Sequence, residues 1–224
     1  MISLPKLLTR WASISLLLLA ACSYIPSPML PTGSPPSPPA ATPQPTLTLQ
    51  PANPTPCELA PITVPTAPAE RPGYTQLDPA TGLHITGKAP QIDLASYRLK
   101  VTGKVDHPLS LTLDELRCMP KIEGSPELVC PGYFVDNATW AGVSLKYVLE
   151  LAGVQASASG VFLNSADGYF TGISLEEALS EENFLAYEWD GEPLPILHGF
   201  PLRAVLPGES GGKWVKWLVE IEVH

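Results

Sequence analysis

After Tyr147 the only Lys or Arg residues are Arg203, Lys213 and Lys216, and they stand among twelve Asp and Glu. They flank a run of unusual regularity, His198-Gly199-Phe200-Pro201-Leu202-Arg203, followed by Gly211-Gly212-Lys213 and Lys216. In a chain of net charge −9, scarce cations gathered beside flexible glycines suit the grip of a phosphate by a planar guanidinium and two point charges. The same residues also read as a solvated pair of strands whose cations balance nearby acids. A second reactive position is Cys130, in Leu128-Val129-Cys130-Pro131-Gly132, where an apolar strand stops at a tight turn. A thiolate presented at a sheet edge is a soft ligand for a transition metal.

Several elements must position these residues. Tyr97 to Val105 alternates as a half-buried strand, and Ser110 to Leu116 carries a Thr112/Glu115 capping pair that predicts a short helix. Glu127 to Cys130 reads as a buried strand. Gly142 to Gly153 is the clearest helix, with Ser144 as N-cap and Gly153 as terminator. Val161 to Ser165 is a strand ended by Asp167-Gly168-Tyr169, a turn that reads as structural or as a loop reaching a pocket. Ser174 opens another short capped helix, Phe184 to Trp189 a strand closed by the Asp190-Gly191 turn, and Trp214 to Val223 a final strand. Strands and short helices mixed without a βαβ period predict an α+β domain, and there is no internal repeat.

The first 22 residues have a separate logic. Lys6 and Arg10 form a basic start, Ile14 to Leu19 is nearly all apolar, and Leu19-Ala20-Ala21-Cys22 follows. The apolar core falls short of the roughly 20 residues that span a bilayer, so it reads as a secretory signal. Small residues before a cysteine resemble the lipobox of bacterial lipoproteins, which implies lipidation at Cys22, a membrane lipid as partner of the N-terminus, and work outside the cytoplasm. Sixteen of the 27 prolines fall in residues 23–72, and residues 23–76 read as a disordered Pro-rich linker between the signal and a domain over 77–224. Beyond Cys22, three cysteines remain, Cys57, Cys118 and Cys130, so in an oxidising compartment one thiol stays free, pairs between chains or binds something. An acidic domain with one small basic cluster lacks the positive stripe that nucleic acid requires.

Taken in order, Tyr97-Arg98-Leu99, Leu111 to Leu116, Cys130, Trp140-Ala141-Gly142-Val143-Ser144-Leu145, Asp167-Gly168-Tyr169, Gly191-Glu192-Pro193-Leu194-Pro195, His198 to Arg203, and Lys213 to Leu218 form a specific series. From about Leu83 to His224 the chain resembles the molybdopterin-binding oxidoreductase domain shared by sulfite oxidases, assimilatory nitrate reductases and the periplasmic methionine-sulfoxide reductase. The resemblance implies a sulfite-oxidase-type fold with mixed sheets, molybdopterin with molybdenum as cofactor, and Cys130 as catalytic residue and metal ligand. It implies His198, Arg203, Gly212, Lys213 and Lys216 as the residues that hold the pterin and its phosphate. The implied chemistry is oxygen-atom transfer, with electrons exchanged one at a time with a haem- or quinone-linked partner, since no Cys-x-x-Cys-His haem attachment occurs in the chain. Arginines that would bind an anionic substrate such as sulfite have no match near Cys130, which disfavours sulfite oxidation. Two alternatives stay open: a Cys118–Cys130 disulfide that would remove the metal ligand, and a non-catalytic module that keeps the fold and binds an anion or a protein.

Overall fold

The computed structural model describes residues 57–224; the signal, Cys22 and the start of the Pro-rich segment lie outside the described residues. The chain folds as β1 (Leu99–Gly103), β2 (Leu109–Leu111), α1 (Leu113–Arg117), β3 (Lys121–Gly124), β4 (Leu128–Cys130), β5 (Phe134–Asp136), β6 (Trp140–Ser144) and α2 (Leu145–Ala152). It continues with β7 (Gly160–Ser165), β8 (Phe170–Ser174), α3 (Leu175–Ala178), β9 (Phe184–Trp189), β10 (Glu192–Pro193), β11 (Arg203–Val205) and β12 (Leu218–Val223). One five-stranded sheet runs β2-β1-β12-β7-β8, and a second runs β10-β9-β6-β3 with β11 also paired to β9. The β1/β12 pair is parallel and its neighbours are antiparallel. This is the mixed α+β architecture that the sequence predicts.

Each helix follows a strand through a hydroxyl that ends the ladder and caps the first turn. Thr112, Ser144 and Ser174 accept from the backbone N–H of Glu115, Tyr147 and Glu177, and the first and last of these complete capping boxes. The helix begins at Leu145, directly after the Ser144 N-cap that the sequence indicates, and residues 142–144, at the head of the helical stretch, belong to strand β6. The reason is packing: a Cβ on Gly142 would sit 1.9 Å from the Leu185 carbonyl oxygen of β9, so the glycine permits a close strand approach. Leu99, Val101, Leu145, Val148, Leu149, Leu163, Leu185 and Ile221, all fully buried, form part of the core.

Three expectations change. The strand over Trp214 to Val223 forms only from Leu218, because residues 211–213 make a 3-10 turn and Trp217 takes a left-handed φ of 52°. The stretch ending at Cys130 is not a buried core strand: it is half of the two-stranded β4/β5 hairpin, with Leu128 buried, Val129 exposed and Cys130 half-buried. The Cys118–Cys130 pairing is overturned, since Cys118 is bonded to Cys57 and Cys130 is a free thiol.

That disulfide also narrows the spacer. From Cys57 onward the chain is tied to α1 through Cys118 and through Arg117 Nη2, which donates to the Ala60 carbonyl at 3.0 Å. Ile62 packs on the core, and Thr75 to Ile85 double back, with Leu77 paired to His84. Among the described residues no helix is long and apolar enough to cross a membrane.

Alkylation without reduction should modify Cys130 and leave Cys57 and Cys118 joined in one peptide pair; a Cys118–Cys130 peptide in the digest would contradict the fold. Gly142→Ala should lower the unfolding free energy in urea by about 3 kcal/mol or more, as overpacking against backbone does, whereas a loss within error would mean that β6 and β9 do not approach as described.

Candidate functional site

The cations sit where a turn and a strand come together. Residues 196–198 make a 3-10 turn, Gly199 follows with φ 121°, and β11 starts at Arg203. A Cβ on Gly199 would meet Arg203 Cβ at 2.9 Å and Lys216 Cα at 3.4 Å, so only glycine lets this turn pass between the two cationic residues.

Arg203 pairs with Ala186 of β9 and is 3% exposed. Its guanidinium lies over Trp140 at 4.4 Å from the ring centroid and 5.7 Å from that of Trp214. Nη1 donates to the His198 carbonyl at 3.1 Å, and buried Nε has no partner. None of the ion pairs among the described residues includes Arg203. Burial pulls its pKa down to about 9, against the opposing charge of Asp136, so it remains cationic at neutral pH. A buried guanidinium with donors to spare and no carboxylate within ion-pair distance is an unfinished interaction, and it calls for an anion.

Lys216 is likewise in none of those pairs. Its Nζ donates to the carbonyls of Thr86 and, at 3.0 Å, Leu197, and it lies 4.6 Å from the Trp217 ring centroid. Burial, then the neighbouring Arg203, lowers its pKa to about 7, with Asp167 opposing. Two of its three donors are used, which leaves one for a ligand. Lys213 behaves differently. Its ammonium is held by Glu177 at 3.1 Å and Glu209 at 2.8 Å, and it does not line the cavity. Gly211 and Gly212 do line it, Gly212 receiving the Tyr169 hydroxyl on its carbonyl at 2.6 Å.

Arg203, Lys216, His198, Asp167 and Tyr169 share one cavity of about 260 Å³ with Cys130. The Cys130 hairpin is fixed to the glycine loop by a bridge between Val129 and Ser210 and by Gly211, where a Cβ would come within 2.8 Å of Leu128. Across the hairpin from Cys130 stands Phe134, on which His84 stacks at 4.3 Å. Buried Asp136 accepts both the His84 backbone N–H at 2.7 Å and its Nδ1 at 2.6 Å. The ring of His84 is therefore fixed, with Nε2 unpartnered among the described residues. His198 is buried, with Nε2 3.0 Å from Asp78 Oδ2 and 2.9 Å from Thr81 Oγ1. Burial lowers its pKa to about 4 despite the Asp78 hydrogen bond, so His198 is neutral and is not a third cation.

The structure thus brings Cys130, His198, Arg203, Gly212 and Lys216 to one cavity and leaves Lys213 outside it. Sequence reasoning missed Asp78, His84, Asp136, Trp140 and Trp214. Asp78 and His84 lie too far from their partners in sequence for any spacing rule. The two tryptophans carry a signal in retrospect, since an aromatic can stack on a buried guanidinium.

The donor set fits a metal that arrives with its own ligands. Among the described residues no group of three His, Cys, Asp or Glu could hold an ion. The described residues offer instead one free thiol and, in the same cavity, a buried cation suited to a phosphate. A molybdenum pterin, bound to its metal through a dithiolene and bearing a phosphate, meets both conditions.

Residues 86–224 match the family described as oxidoreductase molybdopterin binding domain. The chain is 37% identical over 139 residues to the uncharacterized oxidoreductase YuiH of Bacillus subtilis (strain 168), a match covering 61% of this chain and 70% of that protein. It is 33% identical over 128 residues to a putative protein-methionine-sulfoxide reductase subunit, YedZ1, of Azospira oryzae, covering 57% of this chain and 49% of the relative. It is 32% identical over 174 residues to the sulfite oxidase of Arabidopsis thaliana, covering 61% and 44%. The sulfane dehydrogenase SoxCD from Paracoccus pantotrophus has a similar structure, with a TM-score of 0.58 and 27% identity over 61% of this chain and 40% of that one. The fold is therefore of the sulfite oxidase type, and the chain belongs to the molybdopterin-binding oxidoreductase family, whose cofactor is molybdopterin with molybdenum.

Proposed function

We propose that this chain is a lipid-anchored, extracytoplasmic oxidoreductase domain that carries out oxygen-atom transfer and exchanges electrons with a separate haem- or quinone-linked partner. The observation that carries the reading is the pairing of a free thiol with an unsatisfied buried guanidinium in one cavity. Cys130 is the thiolate that would ligate the metal, and Arg203 and Lys216 are the cations that would hold the cofactor's phosphate. The cofactor, when bound, supplies a metal that changes oxidation state by two electrons and carries a transferable oxo group. The His84 ring is held beside the Cys130 hairpin by its Nδ1 contact with Asp136, which leaves Nε2, without a partner among the described residues, to meet a ligand. Trp140 and Trp214 exclude water from the guanidinium and so strengthen its field in the cavity.

Location is supported by two features of the chain. Leu19-Ala20-Ala21-Cys22 has the form of a lipidation signal, and the Cys57–Cys118 disulfide suits an oxidising compartment. The same disulfide keeps Cys118 from Cys130, so oxidation of this pair does not consume the metal ligand.

Protein isolated from a host that makes the cofactor should contain molybdenum and pterin, and Cys130→Ser should lose most of the molybdenum; metal analysis showing none in the wild type would refute the assignment. On cofactor-free protein, inorganic sulfate, whose own charge is constant near neutrality, should bind most tightly below pH 7. Lys216 is charged below its pKa of about 7 and neutral above it, so affinity should fall as pH rises from 6 to 9, with proton uptake on binding. A calorimetric titration with pH-independent affinity would show that Lys216 does not face the anion.

A further inference from the structure

The family match begins at residue 86, yet two of the groups that define the His198 environment precede it. Thr75 to Ile85 form a turn-back held by Thr75 N–H to the Ile85 carbonyl at 2.7 Å, Ile85 N–H to the Gln76 carbonyl at 2.9 Å and Asp78 N–H to the Leu83 carbonyl at 2.8 Å. At its tip Asp78 is 4% exposed although it is an acid, and its carboxylate accepts from Ala80 N–H at 3.1 Å and from the Thr81 hydroxyl at 3.1 Å. The remaining capacity of that carboxylate is aimed at His198 Nε2, 120 positions along the chain.

The hydrogen-bond roles follow from chemistry. Burial alone would raise the Asp78 pKa, but the bonds from His198, Ala80 and Thr81 outweigh it and the net shift is downward, so the group is a carboxylate and can only accept. The Thr81 proton is given to Asp78 Oδ2, leaving Oγ1 as an acceptor as well. Two acceptors at 3.0 Å and 2.9 Å from one ring nitrogen require that nitrogen to carry the hydrogen. Nε2 is then the N–H of a neutral imidazole, and Nδ1, without a partner among the described residues, is a lone pair on a ring that lines the cavity.

We infer that Asp78 and Thr81 are positioning residues of the cofactor site, fixing His198 as the Nε2–H tautomer so that Nδ1 accepts a hydrogen bond from an N–H or O–H of the bound pterin. The inference rests on the reading that this cavity takes a pterin. It divides the site into two functions: Arg203 and Lys216 hold charge, whereas His198 reads a donor on the neutral part of the ligand. It also makes the segment N-terminal to the family domain part of the site.

The test uses the full chain produced with and without cofactor biosynthesis. In the cofactor-free wild type, long-range 1H–15N correlation of the His198 ring should report the Nε2–H tautomer at pH 7. Asp78→Asn, whose amide can donate to Nε2, should shift the ring toward Nδ1–H and lower pterin per mole of protein, measured by fluorescence after release, by about tenfold, as loss of an outer hydrogen-bond partner does at metal sites. Inorganic phosphate affinity should stay within about twofold, because Arg203 and Lys216 are unchanged. Thr81→Val, which removes one of the two acceptors and keeps the carboxylate, should shift the ring toward Nδ1–H less than Asp78→Asn does. His198→Gln leaves the turn-back untouched and keeps a donor for Asp78 without an acceptor at the Nδ1 position; it should lose pterin and keep phosphate binding, even if Asp78→Asn disturbs the turn. A wild-type Nδ1–H or doubly protonated ring overturns the inference, as does full pterin retention in His198→Gln. A wild type without pterin but with the Nε2–H tautomer would instead count against the cofactor reading alone.

Discussion

The guanidinium of Arg203 is the constraint around which the cavity is organised. It is buried between Trp140 and Trp214, donates one hydrogen bond to a carbonyl, and joins none of the ion pairs among the described residues. Removing such a charge from water is costly unless something pairs with it, and here the protein supplies aromatic faces rather than a carboxylate. The arrangement makes sense when the counter-charge belongs to a ligand. β6 and β11, both paired with β9, place the guanidinium over Trp140, and Gly199 permits the turn that brings Lys216 alongside. Sheet register, a glycine and two indoles thus hold a charge that the ligand-free protein does not satisfy.

The second dependence is covalent. Cys57 is joined to Cys118 at the C-cap of α1, and this leaves Cys130 as the free thiol among the described cysteines. The chain leading on from Cys57 then supplies Asp78, Thr81 and His84, which reach His198 at one part of the cavity and Asp136 of the Cys130 hairpin at another. A segment of low sequence regularity therefore contributes polar groups to a site whose cations and thiol come from the family domain. Lys213, adjacent in sequence to the cavity glycines, is diverted to Glu177 and Glu209, so sequence proximity to a site does not make a residue part of it.

Much of the fold was legible because local chemistry decides it. The Thr112/Glu115 and Ser174/Glu177 capping boxes and the left-handed Gly153 that ends α2 all appear as the sequence implies. The Ser144 N-cap is legible, but the strand that ends in it is not, because a glycine before a helix gives no sign of the strand that lies against it. Trp214 to Trp217 alternate like a strand, yet Trp217 adopts a left-handed backbone, a tertiary requirement with no local signature. At the site, Cys130, Arg203 and Lys216 stood out by scarcity and spacing. Asp78, His84 and Asp136 did not, since their partners lie between 52 and 120 positions away and nothing in the sequence connects them.

If Arg203 is held for a ligand's phosphate, its charge is a burden to the empty protein. The direct measurement is thermal unfolding of cofactor-free wild type and Arg203→Met, each with and without inorganic phosphate. The account predicts that Arg203→Met is at least as stable as the wild type without phosphate, as replacement of buried charge by an apolar side chain of similar reach often is, and that phosphate raises the Tm of the wild type only. A variant that is strongly destabilised yet still gains stability from phosphate would contradict it.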